Sequence, residues 1–390
     1  MKEQLKIRMV KACRKIIRII ASLTTRISES KIILVVESPS GSNSYALWKY
    51  ADDNIKKNYE VIRYDNSPHE TMGFCALLKK YRDISSAKLI LTTHQSFKPT
   101  RKHIHVQLWH GAFIKKNGVM IDKKRNGDYR VQKSWIEVDY IMSYSETYST
   151  FFNACMLTDP NKYVVTGAPR NDFLFKSDGR QNLSRIFGEE IEGKRLILFL
   201  PSFREWYAKD QSGGSGNLFG FKDFSSGDFD SYLQERNLKI IFKPHPDERS
   251  VVLEQIERNA MENILVLSDD DLAEKKIDLY ELLNGTDLLL TDFSSVYYDY
   301  LLLGRPIVFV SSEIDSYDEE RGFLIESFEA WTPGPKVTDE GSLREEVDKC
   351  LEDKGYYGKT RSMMLDTIHR YKDGRSSERF WGFISKILDK

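Results

Sequence analysis

The chain has 390 residues, and its 58 Lys plus Arg balance 58 Asp plus Glu, so the formal net charge is zero. A hydrophobic fraction of 41% and an aromatic fraction of 12% exclude a disordered chain, and the length fits two domains of roughly 150 to 200 residues. The charge balance excludes a bulk nucleic-acid binder, which needs a basic excess.

Cys13, Cys75, Cys155 and Cys350 are widely separated and form no CxxC pair. That argues against a zinc site or a disulfide framework and fits a reducing cytosol. Neither a signal peptide nor an apolar run of about 20 residues is present, so no bilayer span is expected.

Residues 1–28 are expected to form a basic amphipathic helix. Lys2, Lys6, Arg8, Lys11, Arg14, Lys15, Arg18 and Arg26 face a single acid, Glu3. At about 100° per residue, Leu5, Met9, Ala12, Ile16, Ile19, Ile20 and Leu23 share one side, with Lys11, Arg14, Lys15 and Arg18 opposite. This pattern suits an anionic membrane surface, where each basic side chain contributes about 1 kcal/mol. A helix packed on the body with a solvated basic face would carry the same pattern.

From residue 31 strands and helices alternate. KIILVVES (31–38), YEVIRY (59–64), AKLILTT (87–93), HIHVQLW (103–109), DYIMSYS (139–145) and KYVVTG (162–167) read as strands, and SYALWKYADDN reads as one helix. RLILFLPS (195–202), LKIIFKPH (238–245), ILVLS (264–268), DLLLTDFSS (287–295) and RPIVFVS (305–311) form a second series. Such a rhythm predicts α/β architecture with parallel, doubly wound sheets. The polar stretch KSDGRQNLSRIFGEEIEGK separates the series, giving Rossmann-like domains at 29–180 and 190–372. Residues 373–390 are expected as a helix packing back on the first domain. The glycine- and serine-rich KDQSGGSGNLFG (209–220) is expected to be a mobile loop.

Strand ends carry the chemistry, because ligands bind outside the carboxyl ends of strands in open α/β sheets. QLWHGAFIKKNG (107–118) sets His110 between Trp109 and Gly111. LPSFRE ends in Ser202 and Arg204, KPHP in Lys243 and His245, and TDFSS in Asp292, Ser294 and Ser295. Singly, each has a structural explanation: a buried histidine, a rigid turn, a surface ion pair, a helix cap. Together they suggest phosphate handling. Serine hydroxyls and free amides bind anions, an arginine fork fits phosphate oxygens, and a neutral histidine accepts a proton. Gly111 would admit a close approach of backbone and ligand. Neither GxxxxGK[ST] nor GxGxxG after the first strand is present, which argues against P-loop kinases and dinucleotide dehydrogenases.

QLWHGAFIKKNG, VTGAPRND (165–172), LPSFRE, KPHP and TDFSSVYYDYLLLGRPIVF (291–309), in this order, resemble the CDP-glycerol glycerophosphotransferase family, which builds teichoic acids and capsular polymers. VVESPSGSNSYALWKY, EIDSYDEERGFL and TPGP extend the resemblance over roughly residues 31 to 375. It implies a GT-B fold, two Rossmann-like domains facing across a cleft, with the first on the acceptor side and the second binding a CDP-alcohol. It implies transfer of glycerol phosphate from CDP-glycerol to a hydroxyl of a lipid-linked saccharide or polyol-phosphate acceptor, releasing CMP, at the cytoplasmic face of the cell membrane. No cofactor and no metal are implied. His110 would be the general base and His245 would sit at the pyrophosphate. Arg204, Ser202, Asp292, Ser294 and Ser295 would hold the donor, with Trp109, Gly111, Lys243, Arg170, Asn171 and Arg321 elsewhere in the cleft.

Two departures stand out. Ala112 replaces the family's threonine after WHG, and Phe293 replaces the tyrosine of DYSS. Little chain remains for an extra acceptor-gripping domain, which favours a primase or single-addition enzyme over a long-chain polymerase. A CDP-ribitol donor, a nucleotide-sugar glycosyltransferase of the same fold and an inactive membrane-associated scaffold remain as alternatives.

Overall fold

The computed structural model describes residues 2–37, 42–66, 73–94, 98–112, 115–121, 137–202, 218–312, 314, 322–325 and 327–389. Two six-stranded sheets dominate. The first contains β1 (Ser28–Glu37), β2 (Glu60–Asn66), β3 (Ala87–Thr92), β4 (Ile104–Gln107), β5 (Tyr140–Ser143) and β6 (Tyr163–Val165) in the order β2-β1-β3-β4-β5-β6. In the second are β7 (Arg195–Leu200), β8 (Leu238–Phe242), β9 (Ile264–Val266), β10 (Leu288–Thr291), β11 (Ile307–Val310) and β12 (Lys336–Val337), ordered β12-β11-β10-β7-β8-β9.

All ladder pairings in both sheets are parallel. Central strands of such sheets are buried on both faces, so they read as continuous apolar runs. Ile32, Ile33 and Leu34 of β1 and Leu288, Leu289 and Leu290 of β10 are all buried. Each run read from the sequence contains a strand. The polar residues at their carboxyl ends leave the ladder: β4 stops at Gln107, two residues before Trp109, and β10 stops at Thr291. Only β12, two residues long, was too short for periodicity to reveal.

Strand order reverses between β1 and β3 in the first sheet and between β7 and β10 in the second. These are topological switch points, where crossovers on opposite sides leave a crevice. The crevice at the second of these is lined by Leu200 and Pro201 from one strand end and by Ser294, Ser295 and Val296 from the other.

SYALWKYADDN divides into two helices, α2 (Ser42–Lys49) and α3 (Asp53–Asn58). Asp52 breaks the run by capping: its side chain accepts from the Ile55 amide at 2.8 Å. The N-terminal helix α1 (Lys2–Thr24) lies against α4 (Phe74–Ser86). Among its residues of described burial, 13–24, the buried ones are Ile17 and Ala21, neither of which belongs to the apolar face read from the sequence. Ile16, Ile19, Ile20 and Leu23 of that face are exposed. Arg18, read as part of the membrane-facing basic side, lies over the Tyr81 ring at 5.8 Å.

The largest buried apolar cluster runs through both halves, joining Ile32, Leu34 and Leu91 to Leu198, Leu289 and Ile307. The C-terminal helix (Ser376–Leu388) returns to the first half. Asp172 accepts from the Ser376 and Ser377 amides, both at 2.8 Å, and Trp381 Nε1 donates to the Leu47 carbonyl at 3.1 Å.

Candidate functional site

A cavity of about 210 Å³ opens between the two sheets. Ser42, His110 and Arg170 line it from the first half; Lys243, His245, Ser294 and Ser295 line it from the second. Of the residues singled out from sequence, these six besides Ser42 converge on one space. Trp109, Gly111, Ser202 and Asp292 stand immediately behind them. Asn171 is buried in the turn Pro169–Asp172 and does not line the cavity. Arg204 and Arg321, and most of the 209–220 loop, lie outside the described residues.

The first wall is built on the turn after β4. Trp109 has φ 53°, a left-handed conformation that costs a residue with a Cβ roughly 1–2 kcal/mol. Its indole packs edge-on against Phe152 at 5.3 Å, and its ring centroid is 4.2 Å from that of His110. The reversal turns His110 into the cavity. His110 Nδ1 donates to the Thr93 carbonyl at 3.4 Å, an assignment that follows from the acceptor it faces. That tautomer leaves Nε2 as a lone-pair acceptor. The His94 ring stacks on His110 at 4.2 Å, with 2° between the planes. Burial first, then the neighbouring His94, push the His110 pKa down to about 3; the Thr93 carbonyl opposes this, and Arg170 adds a lesser lowering effect. The imidazole is therefore neutral at physiological pH.

Arg170 is not a free cation. Its guanidinium is buried, donates to the His110 carbonyl, pairs with Asp299 and reaches the Tyr144 hydroxyl at 3.1 Å. Burial opposes its charge, but Asp299, with Tyr144 and Tyr280, raises its pKa above the ordinary range. Tyr148 OH donates to the Gly111 carbonyl at 2.8 Å, so both peptides after Trp109 are held. A Cβ on Gly111 would come 2.7 Å from Ser295 Oγ. The space this glycine provides is thus also used by a serine of the opposite wall.

The second wall begins at the β7/β10 switch point. Asp292, almost fully buried, accepts from the Ser202 amide at 2.7 Å and the Ser294 amide at 2.9 Å. It ties the two strand ends together. His245 caps the turn Pro246–Glu248: its Nδ1 lies 3.3 Å from the Asp247 amide and 3.4 Å from Asp247 Oδ2, and the His245 amide donates to Glu248 Oε2 at 3.2 Å. When Nδ1 accepts from that amide, the ring hydrogen is on Nε2. Lys243 is paired with Asp269 at 2.8 Å.

Sequence reasoning passed over Lys115, whose ammonium crosses to the second wall, donating to Ser202 Oγ at 2.7 Å and sitting 5.2 Å from the Phe293 ring. Around it, Lys115 bridges Phe323 and the Lys116 amide donates to the Gly322 carbonyl at 3.1 Å. The sequence signal was its place six residues after Trp109 in the same motif. His94, Ser42 and Asn43 were passed over as well, although His94 directly follows the AKLILTT strand and Ser42 and Asn43 lie within VVESPSGSNSYALWKY; that they meet His110 was not legible, because they lie in segments remote from it. Among the described residues, no three His, Cys, Asp or Glu side chains are grouped to hold a metal ion.

Two doubly wound parallel sheets facing across a crevice, with histidines on both walls, define a GT-B fold. The chain belongs to the CDP-glycerol:poly(glycerophosphate) glycerophosphotransferase family, whose model matches residues 30–386. It is 29% identical over 299 residues to the teichoic acid ribitol-phosphate polymerase TarK of Staphylococcus aureus, covering 73% of this chain and 52% of that protein. The chain thus spans about half the length of that relative. It is 25% identical over 375 residues to the teichoic acid glycerol-phosphate transferase of the same organism, covering 88% of this chain and 89% of that protein. A solved structure of the wall teichoic acid polymerase TagF superposes with a TM-score of 0.75 at 20% identity, covering 99% of this chain and 96% of that one.

Proposed function

We propose that the protein transfers a polyol phosphate, glycerol phosphate first, from a CDP-alcohol to a hydroxyl acceptor, releasing CMP, in the synthesis of a teichoic acid or capsular polymer. The observation that carries this reading is the pair of histidines on opposite walls of one cavity, held in complementary tautomers. His110 offers a lone pair and His245 offers an N–H.

In the proposed step, His110 Nε2 takes the proton of the acceptor hydroxyl. The acceptor oxygen attacks the phosphorus that bears the polyol. A new P–O bond forms, the pyrophosphate P–O bond breaks, and its electrons leave on CMP. His245 Nε2–H and the Ser294 and Ser295 hydroxyls offset charge on the donor phosphates, as does Arg204 in the family's pattern. Asp292 acts through the loops it ties. Family membership and relatives that handle both glycerol and ribitol phosphate support a CDP-polyol donor. We read the chain as adding a single unit rather than a long polymer.

We also place the protein at the cytoplasmic face of the cell membrane, as a peripheral protein on a lipid-linked acceptor. Supporting this are the exposed Ile16, Ile19, Ile20 and Leu23, next to exposed Arg14 and Lys15. Among the described residues no helix is long and apolar enough to cross a membrane.

CMP release is measured with CDP-glycerol, CDP-ribitol and sugar nucleotides, each with and without a lipid-linked saccharide. Acceptor-dependent CMP from CDP-glycerol is expected, with one polyol phosphate per product. Release from CDP-ribitol alone reassigns the polyol, and a ladder of products overturns single addition. Hydrolysis of sugar nucleotides alone transfers the protein to the glycosyltransferase reading. In His110→Ala, turnover is expected to fall ~10²- to 10⁴-fold.

A further inference from the structure

The left-handed Trp109 turn that aims His110 is held by side chains distant in sequence. Asn43, at the start of α2 and only 1% exposed, reaches it from the end of the segment after β1. Its Nδ2 donates to two successive carbonyls of the turn, Leu108 O at 3.2 Å and Trp109 O at 2.9 Å. Its Oδ1 accepts from the Arg170 amide at 3.1 Å. From inside the turn, Gln107 Oε1 accepts from the Trp109 amide at 2.9 Å. Arg170, in turn, donates through its guanidinium to the His110 carbonyl. One amide side chain thereby joins the start of α2, the turn after β4 and the Pro169–Asp172 turn.

We propose that Asn43 is a positioning residue that locks Trp109 in its left-handed conformation and so fixes the direction of the His110 ring. This rests on the reading of His110 as the base. A residue with a Cβ leaves the left-handed region readily unless its surroundings over-determine it, and such outliers cluster at functional sites. An amide side chain suits the task because it presents donor and acceptor at once. Aspartate cannot replace it: a second oxygen would face the Leu108 and Trp109 carbonyls while the acceptor for Arg170 N–H survived. Among the described residues Asn43 hydrogen-bonds only within the first half, away from the wall proposed to hold the donor, so its loss should act on turnover and spare donor binding.

The test uses the full chain with Asn43→Asp and Asn43→Ala, and whichever of CDP-glycerol and CDP-ribitol supports CMP release in the wild type. Both variants are expected to lose kcat about 10- to 100-fold, the range for misplacing a supported catalytic group. Donor affinity, measured by equilibrium binding, should stay within about threefold, since a supporting shell on one wall leaves the other intact. Amide hydrogen exchange should rise across residues 104–112. Asn43→Asp with wild-type kcat overturns the proposal, as does a kcat loss matched by an equal loss of donor affinity, the mark of a merely structural role. If Asn43→Ala does not fold, the isosteric Asn43→Asp decides. His110→Ala is assayed in parallel: full turnover there removes the base reading and this proposal with it. An inactive His110→Ala beside a fully active Asn43→Asp removes only this one.

Discussion

One backbone carbonyl and one backbone amide decide what the two cleft histidines can do. Thr93 O takes the Nδ1 hydrogen of His110, and Asp247 N–H occupies Nδ1 of His245; the same side chain is thereby given opposite polarity on the two walls. The seam beside them holds a third titratable group, Asp278, which accepts from Ser42 Oγ at 2.8 Å and from the Tyr280 amide at 2.9 Å. Burial pushes its pKa up to about 6, against the lowering effect of those two hydrogen bonds. A carboxyl whose folded pKa is raised binds more protons when folded, so stability falls as pH rises between about 4 and 6. Asp278→Asn should remove that slope while keeping the cap. Melting temperature followed from pH 4 to 7 should show the variant gaining on the wild type across the window and holding its lead above it. Parallel curves would mean that Asp278 is ionised in the fold without penalty.

Among the elements, α1 is the one whose packing and composition disagree. A helix usually buries its most apolar face, yet α1 rests on α4 through Ile17 and Ala21 and leaves Ile19, Ile20 and Leu23 at 50%, 46% and 79% exposure. Small Ala21 permits close approach, and Arg18 stacks over Tyr81. The exposed stripe therefore contributes little to the fold and remains available to an interface. Replacing Ile19, Ile20 and Leu23 together by serine should shift the melting temperature by no more than a few degrees, since surface changes fall within about 0.5 kcal/mol each. Co-sedimentation with anionic phosphatidylglycerol vesicles should fall at least tenfold, because the apolar anchor is lost. A variant that still sediments like the wild type would locate membrane contact elsewhere, and one that unfolds would show that the stripe is packed.

Across the whole molecule, the buried Arg170–Asp299 pair joins the two halves directly beneath the His110 turn. Tyr280 OH also donates to Asp299, at 2.8 Å. A buried pair contributes little net stability compared with apolar packing, but removing one partner strands the other charge at a cost of about 3–5 kcal/mol. Asp299→Asn should therefore destabilise the chain by that amount in urea unfolding read by tryptophan fluorescence. The transition should remain single, because the main apolar cluster runs through both sheets. Two separated transitions in the variant would show that the pair, rather than the shared core, couples the halves.

The sequence by itself determined the elements and the two-sheet architecture. Strands of a parallel sheet covered on both faces are rich in apolar residues, so eleven of them showed as runs, whereas two-residue β12 left no pattern. It also marked the strand ends at Ser202, Lys243, His245, Asp292 and Ser294, since polar residues after an apolar run have only the rim of the sheet to occupy. Which polar groups meet each other was decided by tertiary structure alone. Arg170, read only as a cleft residue, does line the cavity, but its guanidinium is taken up by buried Asp299; Gly111, read as room for a ligand, also makes room for Ser295. Asn43 lies 66 residues from the Trp109 carbonyl it holds, a span no local pattern encodes. The α1 packing face was undecided for the same reason: periodicity tells which residues share a side, while the shape of the neighbouring helix selects the side that is buried.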